Sequence, residues 1–553
     1  MVLSQEALIT DSQKLNDLIE TLNQHMNLIT ISAQSLTNNG KDIDNFQKLT
    51  EDIAYLTTQI RAAKEMNNFN LRMSIIGQDA QHNTQMTSLY LADVYQSMRI
   101  FITEYTILLN LNTAEFSDFI GENFNQIYQS LTSELSIRNL GKSVIESFGI
   151  NNINLEDEVA TLTREMARDF AKKEVMPIAQ DIHRNDLLVP DELIKKFSEQ
   201  GFFGSSIPTE YGGTGMGDLS MIIITEELSA ASLAAAGSLS TRPEILTKAL
   251  LAGGTEEQRN EWLPKIASGE VLVAIAVTEP DTGSDVSALQ TKAEPSEVNG
   301  EKGWLINGAK AWSTFSGKAT ALALLARTDP DYSKGAKGLS LFIVPKESFG
   351  DEHQWEFKQE NGGLIQGTAN PTPGYRGMHS YTLSLENVWV SHANLVGGDS
   401  GVNNGFYLQM GGFAVGRLQT GGRAVGLAQA ALEKACIYVS EREQFKNKLS
   451  EYQLTQYKIG KMATSIAAAR HLTYAAARGF HTRSIEAAMS KLLACDIAGE
   501  VTRESLLLHG GWGYSEEDPI SRYVVDALVL PIFEGVKPVL ELKVIGRELL
   551  SKK

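Results

Sequence analysis

The residues best suited to chemistry gather near the end of the chain, in "HGGWGYSEEDPISRYVVDALVLPIFEG" (509–535). An apolar run leads to one carboxylate, Glu534, between Phe533 and Gly535. A carboxyl buried in apolar surroundings resists ionisation, which suits a general base. The bland alternative is a helix cap with a solvated carboxylate. Gly510, Gly511 and Gly513 form a turn that lets backbone approach something bulky and flat. Further upstream, "AVTEPDTGSD" (276–285) leaves a strand-like run and turns at Pro280 and Gly283. With Thr278, Ser284 and several backbone N–H groups it could cradle a phosphate or bond a polar ring edge. "GAKAWSTFSG" (308–317) sets Trp312 and Thr314 two apart, hence on one face of a strand. An indole there could cover a flat ligand while the hydroxyl bonds a ring nitrogen. Taken singly, each of these last two motifs reads better as ordinary β-turn chemistry.

These groups must be positioned by the elements around them. From residue 1 to 152 there is no proline, no tryptophan and little glycine. Leu15, Leu18, Leu22, Met26 and Ile29 recur at helical spacing, with Asp11 placed as an N-cap. Ile53, Leu56, Ile60 and Ala63 form a second stripe, and Leu91, Val94, Met98, Phe101, Tyr105 and Leu108 a third. The expectation is a helical bundle with Asn, Gln, Ser and Thr on its outer face, serving packing or assembly. "NNINLED" (151–157) reads as a linker. Helices follow at 158–180, 190–201, 219–253 and 255–268. "IPTEYGGTGMGD" (207–218) fails as a dinucleotide loop, because Asp218 stands where the last glycine is needed and no strand precedes it. Between 269 and 398 the period changes to short runs rich in β-branched and aromatic residues, such as "TALALLAR" and "LSLFIVP". Helical spacing then returns. The fold class expected is mostly α with an inserted β-domain, in four parts: 1–152, 155–268, 269–398 and 399–553.

Composition narrows the function. At 553 residues the chain exceeds one hydrophobic core. A formal net charge of −18 argues against nucleic acid or an anionic membrane surface as a main partner. Cys436 and Cys495 give neither a disulfide framework nor metal spacing, which suits a reducing compartment. The amino terminus carries no signal-peptide core or Arg-rich transit helix, so a cytoplasmic location and no membrane insertion are expected.

Together and in this order, "PTEYGG" (208–213), "VTEPDTGSD", "INGAKAWST", "YRGMHSY" (375–381), "EREQF" (441–445), "HGGWGY" and "FEG" resemble the acyl-CoA dehydrogenase family. The likeness runs from about residue 155 to 552 and leaves the first helical block outside. It implies a helical domain, a β-barrel-like domain and a four-helix bundle binding FAD. It further implies that Glu534 removes the α-proton of an acyl-CoA thioester while its own N–H stabilises the enolate oxygen. Ile275, Val277, Thr278, Gly283, Ser284, Trp312 and Thr314 become FAD contacts. Arg442 and Phe445 would reach the FAD of a neighbouring subunit, with Gly510 and Gly511 against that cofactor. A second branch of the family keeps its base just before a bundle arginine; here that place is Gly416, before Arg417, and glycine cannot be a base. Some positions depart from the pattern: Lys446 replaces a glycine, Leu507 a glutamine and Val536 a threonine, and Pro538 stands two residues beyond Val536.

Within the family the likeness is to the bacterial branch acting on (2S)-methylsuccinyl-CoA, through "STRPEILTKALL" (240–251), "GYRGMHSY", "GFYLQM" and "GRLQT". That substrate carries a distal carboxylate, for which Arg offers a bidentate partner. Arg242 is the expected anchor, with Arg376 and His379 as further candidates. Ser284, Arg417, Phe533 and Gly535 complete the expected substrate contacts. Expected partners are electron-transfer flavoprotein and further copies of the chain, as a dimer or tetramer. The competing readings are another short acyl-CoA (isobutyryl, 2-methylbutyryl or glutaryl), a flavin oxidase, and a non-catalytic flavin-binding relative.

Overall fold

The first proline is Pro177, and the chain ahead of it is almost continuously helical in the computed structural model, which describes residues 11–78, 80–151, 153–155, 157–479 and 484–551. Five helices come first: α1 (Ser12–Leu36), α2 (Gln47–Ile75), α3 (Gln81–Tyr105), α4 (Gly121–Leu131) and α5 (Glu134–Glu146). Asp11 caps α1 as expected, its carboxylate accepting from the amides of Gln13 and Lys14. The buried stripe is Leu15, Ile19, Leu22, Met26 and Ile29; Leu18 is only half-buried, displaced by Ile19. In the expected linker, the described residues have no regular structure, and Asn152 and Glu156 lie outside them.

The described chain forms two compact units. One is Asn154–Gln419. Its helices are α6 (Glu158–Phe170), α7 (Met176–Arg184), α8 (Asp191–Glu199), α9 (Gly217–Ala231), α10 (Glu244–Gly253) and α11 (Glu256–Ala267). The run 219–253, expected as one helix, is two. Ser232 ends α9, and its Oγ accepts from Ala235 N at 3.1 Å. A π-helical turn at Leu233–Ser238 and Pro243 then separate it from α10. Local hydroxyl capping and a proline outweigh the apolar period here.

Eight strands follow: β1 (Val273–Ala276), β2 (Lys292–Val298), β3 (Glu301–Thr314), β4 (Ala321–Arg327), β5 (Leu339–Pro345), β6 (Gln354–Lys358), β7 (Leu364–Ala369) and β8 (Ser380–Ser391). They make one sheet in the order β1-β4-β2-β3-β8-β7-β6, with β5 on β4. Alternate residues Ala321, Ala323 and Leu325 of β4 and Leu339, Leu341 and Ile343 of β5 share a core with Leu246, Leu250, Leu263 and Ile266 of α10 and α11. Each such leucine or isoleucine contributes about 1.5–3 kcal/mol by leaving water. Mostly helical with an inserted sheet, the chain has the fold class its sequence implies.

The second unit joins Met1–Ile153 to Thr420–Lys553. Its later helices are α12 (Gly405–Glu441, from Thr420 onward), α13 (Gln453–Arg478), α14 (Ser484–His509) and α15 (Ile520–Ala527). Helices α5 and α13 meet backbone to backbone. A Cβ on Gly141 would lie 1.8 Å from the Gln456 carbonyl oxygen, and one on Gly460 2.3 Å from that of Ile137. Polar residues expected on the outer face of the first helices are in part buried. Asn83 Nδ2 donates to Asn70 Oδ1 at 2.5 Å, and Asn70 Nδ2 to Thr87 Oγ1 at 3.0 Å. His471 Nε2 of α13 lies 2.9 Å from Asn83 Oδ1, fully enclosed. Burial holds that imidazole neutral, lowering its pKa to about 3.

Candidate active site

The turn after β1 is fixed by a buried ion pair. Lys310 of β3, fully enclosed, donates to Glu279 Oε1 at 2.9 Å and to the Val277 carbonyl at 3.1 Å. Glu279 also accepts from the amides of Gln290 (2.7 Å) and Thr291 (2.8 Å). Burial works to raise the Glu279 pKa, but Lys310 and these amides outweigh it, and the net direction is down. Burial also lowers the Lys310 pKa, against the pull of Glu279. Ala311 N donates to the Thr278 carbonyl at 2.8 Å, and Ser313 Oγ to that of Ile275 at 2.6 Å. Ile275, Val277 and Thr278 are thereby laid along β3, while Gly283 and Ser284 stand exposed on the far side of the turn.

On β3 the ladder with β8 slips between Lys310 and Ser313, and Trp312 takes a left-handed φ of +57°. Its indole stands 58% exposed. Thr314, half-buried, shares a hydroxyl hydrogen bond with Ser380 at 2.9 Å. An open indole beside a rigid turn of hydroxyls and amides fits a flat ring with polar edges, as a flavin has. The loop before β8 is also left-handed at Tyr375, Gly377 and His379. Here Arg376 Nε lies 3.3 Å and His379 Nε2 3.2 Å from Asp186 Oδ1, so both expected carboxylate ligands already face a carboxylate. Burial lowers the His379 pKa despite that neighbour. Asp186, His353 and His379 offer ligand atoms within 4.8 Å of one another, the one group among the described residues with metal-ligating potential. Arg376 already supplies a cation there.

Arg242 is 4% exposed, its Nε donating to the Ser238 carbonyl at 3.1 Å. Beside it in sequence, Glu244 is buried and accepts from the Ser206 hydroxyl; its burial raises its pKa. Gly416 is buried and Arg417 half-buried on α12.

In the other unit, Glu534 sits in a short loop after α15, with φ of +54° followed by +95° at Gly535. A non-glycine residue pays to hold that conformation and keeps it only when its surroundings impose it. They do so through cations. The Arg423 guanidinium, 1% exposed, lies 4.5 Å over the Phe533 ring. Lys491, also 1% exposed, donates to the Gly535 carbonyl. Lys537 N closes the loop on the Pro531 carbonyl at 2.9 Å, and its Nζ donates to Asp496 at 2.6 Å. Glu534 is half-buried. Arg423, Lys491 and Lys537 lie 46 to 114 positions from one another, and no local signal in the sequence marks them.

The remaining expected residues are exposed. Phe445 and Lys446, with φ of +52° and +69°, form the two-residue turn of a hairpin, and the Phe445 ring is 89% exposed next to exposed Arg442. Gly510 has a φ of +60°, and a Cβ at Gly510 or Gly511 would meet open space. His509 stacks on Tyr438 at 4.3 Å.

Comparison with known proteins shows the family. The acyl-CoA dehydrogenase N-terminal, middle and C-terminal domain profiles match residues 157–270, 274–388 and 403–550. The (2S)-methylsuccinyl-CoA dehydrogenase of Cereibacter sphaeroides is 39% identical over 408 residues, covering 73% of this chain and 71% of its own length. An acyl-CoA dehydrogenase of Bacillus subtilis is 36% identical over 394 residues, 70% of this chain and 97% of that one. The structure of butyryl-CoA dehydrogenase from Megasphaera elsdenii superposes with a TM-score of 0.65 at 29% identity, covering 72% of this chain and 100% of that chain. With three consecutive family domains on one chain and the Bacillus subtilis relative matched almost end to end, this protein belongs to the acyl-CoA dehydrogenase family, FAD-using oxidoreductases of the acyl-CoA CH–CH bond.

Proposed function

We propose that the chain dehydrogenates a short branched acyl-CoA, (2S)-methylsuccinyl-CoA to mesaconyl-CoA, with Glu534 as the α-proton base. The observation that carries this reading is the Glu534 loop: a left-handed carboxylate-bearing residue fixed on both sides by buried cations. Such fixation has a cost that a solvated helix cap would not require. At the alternative base position stands Gly416, which has no side chain to accept a proton.

In this reading Glu534 takes the α-proton, and its own backbone N–H bonds the thioester oxygen where negative charge develops. FAD, when bound, would supply the acceptor for the β-hydride, and electron-transfer flavoprotein would be the partner that receives the electrons. The Ile275–Thr278 segment, Ser284, Trp312 and Thr314 hold that cofactor, joined by Arg442, Phe445, Gly510 and Gly511 from a second copy of the chain. Arg242 pairs with the distal carboxylate of the substrate, its planar guanidinium offering two parallel N–H donors to the two carboxylate oxygens. Arg417 contacts the CoA chain.

The test is an anaerobic acyl-CoA panel followed by flavin bleaching and product mass. Methylsuccinyl-CoA should bleach the protein fastest, and Arg242→Ala should raise KM for it far more than for butyryl-CoA. Equal rates for butyryl- and methylsuccinyl-CoA would refute the dicarboxylate assignment.

A further inference from the structure

The first five helices lie outside the matched family domains, yet one of them reaches the segment that carries Glu534. Helix α2 packs on the carboxy-terminal turns so closely that a Cβ on Gly546 would lie 2.3 Å from Thr50 Cγ2. One turn further along α2, the Tyr55 ring lies 5.3 Å from Lys537 Nζ. Lys537 is three residues beyond Glu534, and its own amide closes the Glu534 loop on Pro531. Its ammonium is shared between Asp496 at 2.6 Å, Glu541 at 3.8 Å and the Tyr55 ring. Asp496 also faces the Tyr55 hydroxyl.

We infer that Tyr55 is a positioning residue for the base: through Lys537, the amino-terminal extension holds the Glu534 loop in its left-handed conformation. The proposal rests on Glu534 being the base. A ring face is a good third partner for Lys537, because the ammonium is half-buried and two carboxylates alone leave one side of it uncovered. Asp496 and Lys537 belong to the region matched by the family, whereas Tyr55 belongs to the extension. The clamp is therefore contributed by a helix outside the matched family domains to a loop inside them.

The seam opens to a groove of about 460 Å³ lined by Glu51, Tyr55, Phe101, Asp496 and Lys537 among others, so truncating Tyr55 leaves no sealed cavity. In the full FAD-loaded chain, Tyr55→Leu should speed hydrogen exchange of the amides in residues 528–539. It should lower kcat on the order of 10-fold while KM and flavin content stay near wild type. Tyr55→Phe keeps the ring face and should restore both readouts to within about two-fold. Unchanged exchange and unchanged kcat in Tyr55→Leu would overturn the proposal, as would an equal defect in Tyr55→Phe and Tyr55→Leu. Should Tyr55→Leu fail to fold, Lys537→Met removes the other half of the contact and must give the same faster exchange. Glu534→Gln, assayed in parallel, separates the two ideas. Its continued turnover would remove the base assignment, while the exchange data still report on the clamp.

Discussion

Two buried lysines support the two regions proposed for cofactor and base, and they do so in opposite ways. Lys310 is paired with Glu279 of the turn after β1, and it sits on a strand whose ladder with β8 holds the backbone on either side of the slip at Trp312. Lys491 donates to a carbonyl in a loop between helices, where no ladder exists and the backbone is left-handed. In the sheet the ion pair adds to an existing frame; at Glu534 the cations are the frame. A cofactor site needs a surface that stays put, whereas a base needs one residue aimed, and the two supports differ accordingly.

The largest effect should come from the loop. Glu534→Gln keeps the fold and the yellow colour of bound FAD but should lose turnover by about 10³-fold or more, within the range for a general base, measured as anaerobic flavin bleaching. Next is the sheet: Lys310→Met leaves Glu279 buried without its cation and should cost about 3–5 kcal/mol in urea unfolding. Adding Glu279→Gln should recover part of that loss. If Lys310→Met is silent, the ladder alone holds the turn and the ion pair adds nothing to it.

Acid should tell the units apart. Unfolded His471 takes a proton below its ordinary value of 6.5, but folded His471 does so only near pH 3, so stability falls as pH drops between those values. At pH 5 the loss is about 2 kcal/mol. Glu279 is depressed below its ordinary value of 4.5, so its contribution is kept above pH 4.5 and lost only below it. Between pH 6.5 and 4.5, protection in α13 should therefore weaken before protection in β3, read by hydrogen exchange, and His471→Gln should remove the difference. The smallest effect tests backbone strain without cations. Lys446→Gly in the Phe445 turn should stabilise by roughly 0.5–1 kcal/mol in thermal unfolding.

Much of this was legible in the chain. "VTEPDTGSD", "AKAWST" and "FEG" are local signatures, so the turn and the strand could be placed by number and Glu534 nominated as the base. The helix–sheet–helix succession follows from the change of period near residue 269. What stayed hidden depends on residues far apart. Nothing near Glu534 announces Arg423 or Lys491, and nothing near Lys537 announces Tyr55. The break between α9 and α10 was masked because Ser232 and Pro243 flank an otherwise helical alanine-rich run. Polar residues such as Asn70 and Asn83 read as solvent-facing because periodicity cannot tell water from another helix's polar groups.

The crossing of Gly141 over Gly460 has an evolutionary reading. Two backbones at contact distance tolerate no side chain at either position, so the extension writes a constraint into the family region beneath it. A descendant that discards residues 134–146 frees position 460 to carry any residue, whereas one that keeps them holds both glycines hostage to each other. Once position 460 drifts, the extension cannot dock again without reversing that change first. Loss of these helices would then be a one-way door, and glycine at 460 in a shortened relative would mark a recent passage through it.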